Sequence, residues 1–221
     1  MGTQFFSTMK EKAVQIPLGI DIQYFQPVTK IFNSLDGIEI KKDDFVIVSV
    51  ANLVPVKGIE VLLNAVKKIN DNSVKTFIIG ANDNKYGQVL QKQFQDKNIY
   101  FLGRKIDVRP YLGMADVFVI PTKDEGRKEG MPIAPLEAMA MGKVVLGSKT
   151  SGITDILNEF QDNLFEPDNV EELMSKILKI KNLEINKRQI LEDNIRNYVV
   201  DNLCLNNFIL NHEKLYFNLI K

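Results

Sequence analysis

The chain has 221 residues, with 28 Lys+Arg balanced by 28 Asp+Glu. Hydrophobic residues make up 45% and charged residues 25%, the proportions of a globular fold rather than a disordered one. Charge balance excludes the basic field of a nucleic-acid binder, no run approaches the ~20 apolar residues of a membrane helix, and one cysteine with one histidine leaves neither a disulfide within the chain nor a zinc cluster to build.

Residues 1–42 contain IPLGIDIQYFQP (16–27) and then a polar stretch, and read as a connector. The first strand is FVIVSVA (45–51), a continuous apolar run rich in β-branched residues. KGIEVLLNAVKKI (57–69) follows, with Ile59, Leu62, Leu63, Val66 and Ile69 at helical spacing, and Lys57 opening the helix. VKTFIIG (74–80) is the next strand, YGQVLQKQFQ (86–95) the next helix and NIYFLG (98–103) the third strand. DVRPYLGMA (107–115) gives a short helix interrupted by Pro110, and DVFVIPT (116–122) the fourth strand. PIAPLEAMAMG (132–142) is a helix with Pro132 in its first turn and Gly142 as its stop. KVVLGS (143–148), a short helix at GITDIL (152–157) and an edge-like strand at DNLFEP (162–167) come next. DNVEELMSKILKI (168–180) is amphipathic, with Asp168 as candidate N-cap and Glu171 three residues on. Residues 185–221 read as an appended helix pair.

Fully apolar strands alternating with helices require a parallel sheet covered on both faces. Right-handed crossovers make this an α/β, doubly wound, Rossmann-like domain over residues 43–182. A connector (1–42) precedes it and C-terminal helices (183–221) follow. Ligands of such sheets sit beyond the carboxyl ends of the strands, which directs attention to loops 52–58, 80–85, 103–107, 122–132 and 148–152.

Two of these loops carry chemistry. NLVPVKG (52–58) places Lys57 where a helix begins, and a lysine beside free N–H groups suits a phosphate. The alternative is a solvated lysine on a turn. No Walker loop and no G-x-G-x-x-G is present. TKDEGRKEGMP (122–132) is charged and glycine-bearing, and Gly126 and Gly130 allow close backbone approach to a ligand. Glu129 and Glu137 stand eight positions apart, about 12 Å along a helix, enough to address both ends of an extended polyhydroxylated ligand. Glu137 lies between Leu136 and Ala138 in an apolar run, where an unpaired carboxylate is costly. A salt bridge for Glu137 and a solvated charge for Glu129 remain the competing readings.

The spacing resembles the E-x7-E signature of retaining GT-B glycosyltransferases, specifically glycosyltransferase family 4, the glycosyl transferases group 1 domain. IPLGIDIQYFQP resembles that family's interdomain segment, and VSVANLVPVKGIEVLLNAV its strand–loop–Lys-Gly–helix unit. FIIG, IYFLGRKIDVRPYLGMADVFVIPT and EGMPIAPLEAMAMGKVVLGSKTSGITDIL follow in family order, so the likeness covers roughly residues 14–180. It implies the C-terminal, donor-binding half of a GT-B fold, transferring a hexose-type sugar from a nucleotide-diphosphate sugar with retention and without metal or other cofactor. It implies that Glu137 bonds the ribose hydroxyls, Glu129 the transferred sugar and Lys57 the diphosphate. Backbone groups around Arg104, Lys105 and Ile106 would meet the base, and the Gly130 and Met131 amides the sugar or phosphate.

Two departures qualify the likeness. The family places an arginine five positions before the lysine, and here Asn52 stands there; Arg104, Arg127 and Lys123 are the candidates to replace its charge. The acceptor-binding domain is also missing ahead of residue 43, so an acceptor-domain partner, or self-association through apolar Leu205, Phe208, Ile209, Leu215, Tyr216 and Leu219, is expected. The acceptor is an unspecified glycan or lipid-linked glycan, and the expected location is the cytoplasm, peripheral to the membrane for a lipid-linked acceptor. The alternative function is a non-catalytic nucleotide-sugar-binding module or an inactive fragment.

Overall fold

A computed structural model describes residues 13–28, 34–125 and 130–220. Two short strands, β1 (Ser34–Leu35) and β2 (Ile38–Glu39), form an antiparallel hairpin inside the segment read as a plain connector. Its turn is Asp36-Gly37, with φ of 52° and 76°. Two positive φ values are what a type I′ hairpin turn requires, and Asp-Gly supplies them cheaply.

From residue 45 onward, strands and helices alternate. They are β3 (Phe45–Val50), α1 (Ile59–Ile69), β4 (Val74–Ile79), α2 (Lys85–Gln93), β5 (Ile99–Gly103), α3 (Arg109–Met114), β6 (Val117–Ile120), α4 (Ile133–Ala140) and β7 (Val144–Ser148). Then come α5 (Ile153–Ile156), β8 (Leu164–Phe165), α6 (Val170–Lys181), α7 (Ile185–Asn202) and α8 (Leu205–Ile220). The six strands β3–β8 make one parallel sheet in the order β5-β4-β3-β6-β7-β8. The chain therefore winds outward from β3 to β5, returns to the centre and winds the other way. The reversal falls between β3 and β6, where Ile47 pairs with Val117 and Val48 with Phe118.

The sheet is apolar on both faces because helices cover both. Val46, Ile47, Val48, Phe77, Phe118 and Phe165 are all completely buried. α1 turns Leu62, Leu63 and Ala65 inward and packs on α6, while α4 packs on α7. Each fully buried large aliphatic contributes about 1.5–3 kcal/mol relative to exposure, so these helix faces seat the loops at their ends firmly.

The expected α/β doubly wound sheet is present, and local boundaries differ for physical reasons. α1 begins at Ile59, because Pro55–Lys57 forms a separate 3-10 turn closed by Gly58. Pro110 does not interrupt α3; it lies in the first turn, where its missing N–H costs nothing. The strand expected at 162–167 shortens to Leu164–Phe165, since a 3-10 turn occupies Gln161–Asn163. Gly142 does end α4, at φ 71°.

The residue capping α6 is Asn169, not Asp168: its side chain accepts a hydrogen bond from the Glu172 amide at 3.0 Å. Asp168 sits one residue earlier at φ 59°, with its carboxylate 3.3 Å from Lys123. Asn169→Ala should lower stability by about 1 kcal/mol, read as a shift of the urea midpoint with unchanged slope.

Candidate functional site

The site forms at the carboxyl edge of the sheet, where the loops after β3 and β6 meet across the reversal. Crevices at this point are the ligand positions of doubly wound sheets. The Lys123 amide donates to the Val56 carbonyl at 2.8 Å, joining the two loops through backbone. Gly58, at φ 60°, lies so close to the other loop that a Cβ there would come within 2.0 Å of the Pro121 carbonyl oxygen. Only glycine satisfies both the left-handed conformation and this approach. The loop after β4 joins the same layer: Leu53 N donates to Ala81 O at 3.0 Å, and Asn84 Nδ2 to Leu53 O at 2.8 Å.

Lys57 is the last residue of the 3-10 turn, half-buried and directly before Gly58. α4 starts at Ile133, and neither a capping side chain nor an acidic residue occupies its first turn. Among the described residues, no side chain caps its first N–H groups and positive dipole end. Gly130, just ahead, is exposed, and a Cβ there would meet nothing within 4 Å. Met131 is half-buried, and its Sδ receives the Leu18 amide at 3.2 Å. Glu129, Gly126 and Arg127 lie outside the described residues.

Glu137 is one turn inside α4, flanked by Leu136, Ala138 and Met139, which are at most 1% exposed. Its carboxylate makes no hydrogen bond or ion pair among the described residues, so the salt-bridge reading has no support. Burial alone pushes its pKa above the ordinary 4.5. A protein keeps such a group at a cost to stability, and perturbed groups of this kind mark functional sites.

The other candidates separate. Ile106 is fully exposed, and Arg104 beside it is exposed as well. Lys105 is held differently: its ammonium is 2.6 Å from the Asp36 carboxylate and stands over the Tyr111 ring at 5.6 Å. Asp36 also accepts the Tyr111 hydroxyl at 2.8 Å, and these two bonds hold its pKa below the usual carboxylate range. The hairpin β1–β2 is thereby latched to the loop after β5. Lys123 is likewise committed, at 2.7 Å from Glu60 and 3.3 Å from Asp168, and Glu60 accepts the Tyr86 hydroxyl as well. It braces the two central loops instead of supplying a spare charge for the missing arginine. Sequence reasoning missed this network, whose members are scattered over four elements.

The cost at Glu137 predicts a pH signature. Well below pH 4.5 folded and unfolded states both carry the proton, and nothing is lost. As pH rises from there through the raised folded-state value, the unfolded chain ionises first, so the fold loses stability. Glu137→Gln should therefore be more stable than the parent at neutral pH, and the difference should vanish in acid. Urea unfolding at several pH values measures it; an equal gain at every pH removes the buried charge as its cause.

Comparison with known proteins agrees with this layout. The glycosyl transferases group 1 family profile matches residues 32–198. An Escherichia coli UDP-Gal:alpha-D-GlcNAc-diphosphoundecaprenol alpha-1,3-galactosyltransferase is 26% identical over 215 residues, covering 93% of this chain and 54% of that protein. A Rickettsia africae glycosyltransferase structure superposes with a TM-score of 0.83 at 20% identity, over 99% of this chain and 62% of its own. Anabaena HepE, solved in complex with UDP and glucose, gives 0.74 at 18% identity, over 91% of this chain and 56% of its own. The chain spans about half the length of these relatives.

Proposed function

This chain belongs to the glycosyl transferases group 1 family, and we propose that it supplies the donor-binding half of a retaining GT-B glycosyltransferase of family 4. The observation that carries the reading is Glu137, a half-buried carboxylate with no partner among the described residues, on a helix starting at the sheet's reversal point. A pair of ribose hydroxyls is the neutral donor pair that satisfies such a group without a counter-charge. On this reading Glu129, eight residues earlier in the sequence, addresses the transferred hexose, and the Gly130 and Met131 amides meet the sugar or phosphate. Exposed Ile106, with the backbone of Arg104 and Lys105, forms the platform for the base.

Chemistry follows from the charge. Breaking the bond between sugar and diphosphate leaves an oxocarbenium-like centre and builds negative charge on the leaving oxygen. Fixed positive groups at that oxygen lower the barrier, and preorganised electrostatics are often the largest catalytic term. Lys57 and the uncapped start of α4 fill this role, with no metal required. The described residues form one wall of a cleft. The other wall, binding a glycan or lipid-linked acceptor, is assigned to an acceptor domain on the same or another polypeptide. No helix among the described residues is long and apolar enough to cross a membrane.

A thermal-shift and calorimetric screen against UDP-, GDP- and ADP-sugars tests the site. One nucleotide should raise the melting temperature, with Lys57→Ala and Glu137→Gln each weakening it about tenfold or more, since a hydrogen bond to a charged group is worth about 1.5–3 kcal/mol. Unchanged affinity in both variants removes the assignment. Turnover separates an enzyme from a binding module: a chain that binds a donor yet transfers nothing with its acceptor half present is the latter.

α8 bears on the partner. It contains no buried residue, and Ile209, Tyr216, Phe217, Leu219 and Ile220 are 45–81% exposed. Contiguous apolar surface of this kind marks an association face. Sedimentation velocity should show concentration-dependent self-association of the isolated chain, reduced by Tyr216→Lys with Leu219→Lys. A monomer at all concentrations rejects the expectation.

A further inference from the structure

Arg196, on α7, is half-buried and engages no carboxylate among the described residues. Its fork instead donates to three main-chain carbonyls. Nη1 reaches Phe25 O at 3.0 Å and also Ala140 O; Nη2 reaches Ile22 O at 2.9 Å. Ala140 ends α4, so its carbonyl is one of those a helix leaves unsatisfied, and it lies three residues past Glu137. Ile22 and Phe25 belong to a turn tightened by the Asp21 carboxylate, which accepts the Gln23 and Tyr24 amides at 2.9 and 3.0 Å. The same N-terminal segment touches the other end of α4, where Leu18 N donates to Met131 Sδ at 3.2 Å. It also pairs with the α7–α8 junction, Ile20 N to Leu203 O at 2.8 Å and Leu205 N to Ile20 O at 2.9 Å. Segment 18–25 is thus joined to Met131 just ahead of α4 and, through Arg196, to the helix's last residue.

We propose that Arg196 is a positioning residue through which segment 18–25 sets the placement of α4, and with it the Glu137 carboxylate. The planar guanidinium explains the choice of residue. It presents several donors at fixed angles, whereas a lysine ammonium on a flexible stem cannot span the same acceptors in one geometry. Movement of the N-terminal segment would pull Phe25 and Ile22 away from the fork and loosen the Ala140 carbonyl. The donor helix then responds to whatever lies on the other side of that segment. The role in donor binding rests on the function proposed above; the mechanical link does not.

The test uses Arg196→Met, Arg196→Lys and a control, Val199→Ala, which opens a cavity at a completely buried position on the same helix. Two readouts are taken: amide hydrogen exchange of the whole chain, and affinity for UDP-glucose and GDP-mannose by calorimetry. Both Arg196 variants should speed exchange in segment 18–25 and in the last turn of α4 together, at least fivefold, while the control speeds it mainly in α7. Both should also weaken the nucleotide sugar that binds by about tenfold, with the control within twofold of the parent. Unchanged α4 exchange in Arg196→Met, or equal effects in the control, overturns the proposal. If the parent chain binds none of the UDP-, GDP- and ADP-sugars, the donor reading is what fails, and the exchange pattern alone decides the link.

Discussion

Gly58 lying against the Pro121 carbonyl is the contact on which the rest of the site depends. It lets the loop leaving β3 touch the loop leaving β6 with no side chain between them. The Lys123–Val56 backbone bond then fixes their register, and the Lys123 ammonium ties both to Glu60 on α1 and Asp168 ahead of α6. The crossovers on either side of β3 run in opposite directions, so no connection passes over this point. A rigid floor with open space above it results from chain direction and one missing Cβ. Lys57 precedes that glycine, so its position is set by the same contact.

Against this floor, α4 is held by core packing along one face and by the Arg196 link at its end. Leu136, Ala138, Met139 and Ala140 are essentially inaccessible, and such packing leaves little room for the helix to rotate. The backbone at position 137 is held by these neighbours, so the half-buried carboxylate samples only what its own side-chain rotations reach. On the donor-binding reading, the stability lost by ionising Glu137 in place is the counterpart of holding an acceptor pair ready for a ligand, as strained or unsatisfied groups are at many functional sites.

How much of this could be read in the sequence depends on how local each signal is. The six parallel strands were legible because each is a short, wholly apolar run, and Gly142 was legible because a helix stop needs one residue type. Asp36-Gly37 carried an equally local hairpin signal, yet the polar residues around it made the segment look like plain linker. Asp168 and Asn169 are both good caps by type, and only the backbone distinguishes them: Asp168 at φ 59° cannot aim its side chain as a cap does. Glu137 stood out as a charge in an apolar run. Its lack of a partner did not, since any of the chain's lysines and arginines was free to approach it. Arg196 gave no signal at all, because its acceptors are backbone carbonyls at 22, 25 and 140, which have no side-chain identity.

The distribution of positive charge follows from the same geometry. Asn52 cannot neutralise a phosphate, and Lys123 and Lys105 already hold Glu60, Asp168 and Asp36. Lys57 is engaged within the protein as well. On the donor-binding reading, the diphosphate meets Lys57 and the N–H groups at the start of α4, and binding exchanges the present partner of Lys57 for phosphate. Helix dipoles and backbone donors are fixed in space and need no reorganisation as charge develops, so on the donor-binding reading the start of α4, where no acidic residue stands in the first turn, is worth more at this edge than another flexible side chain.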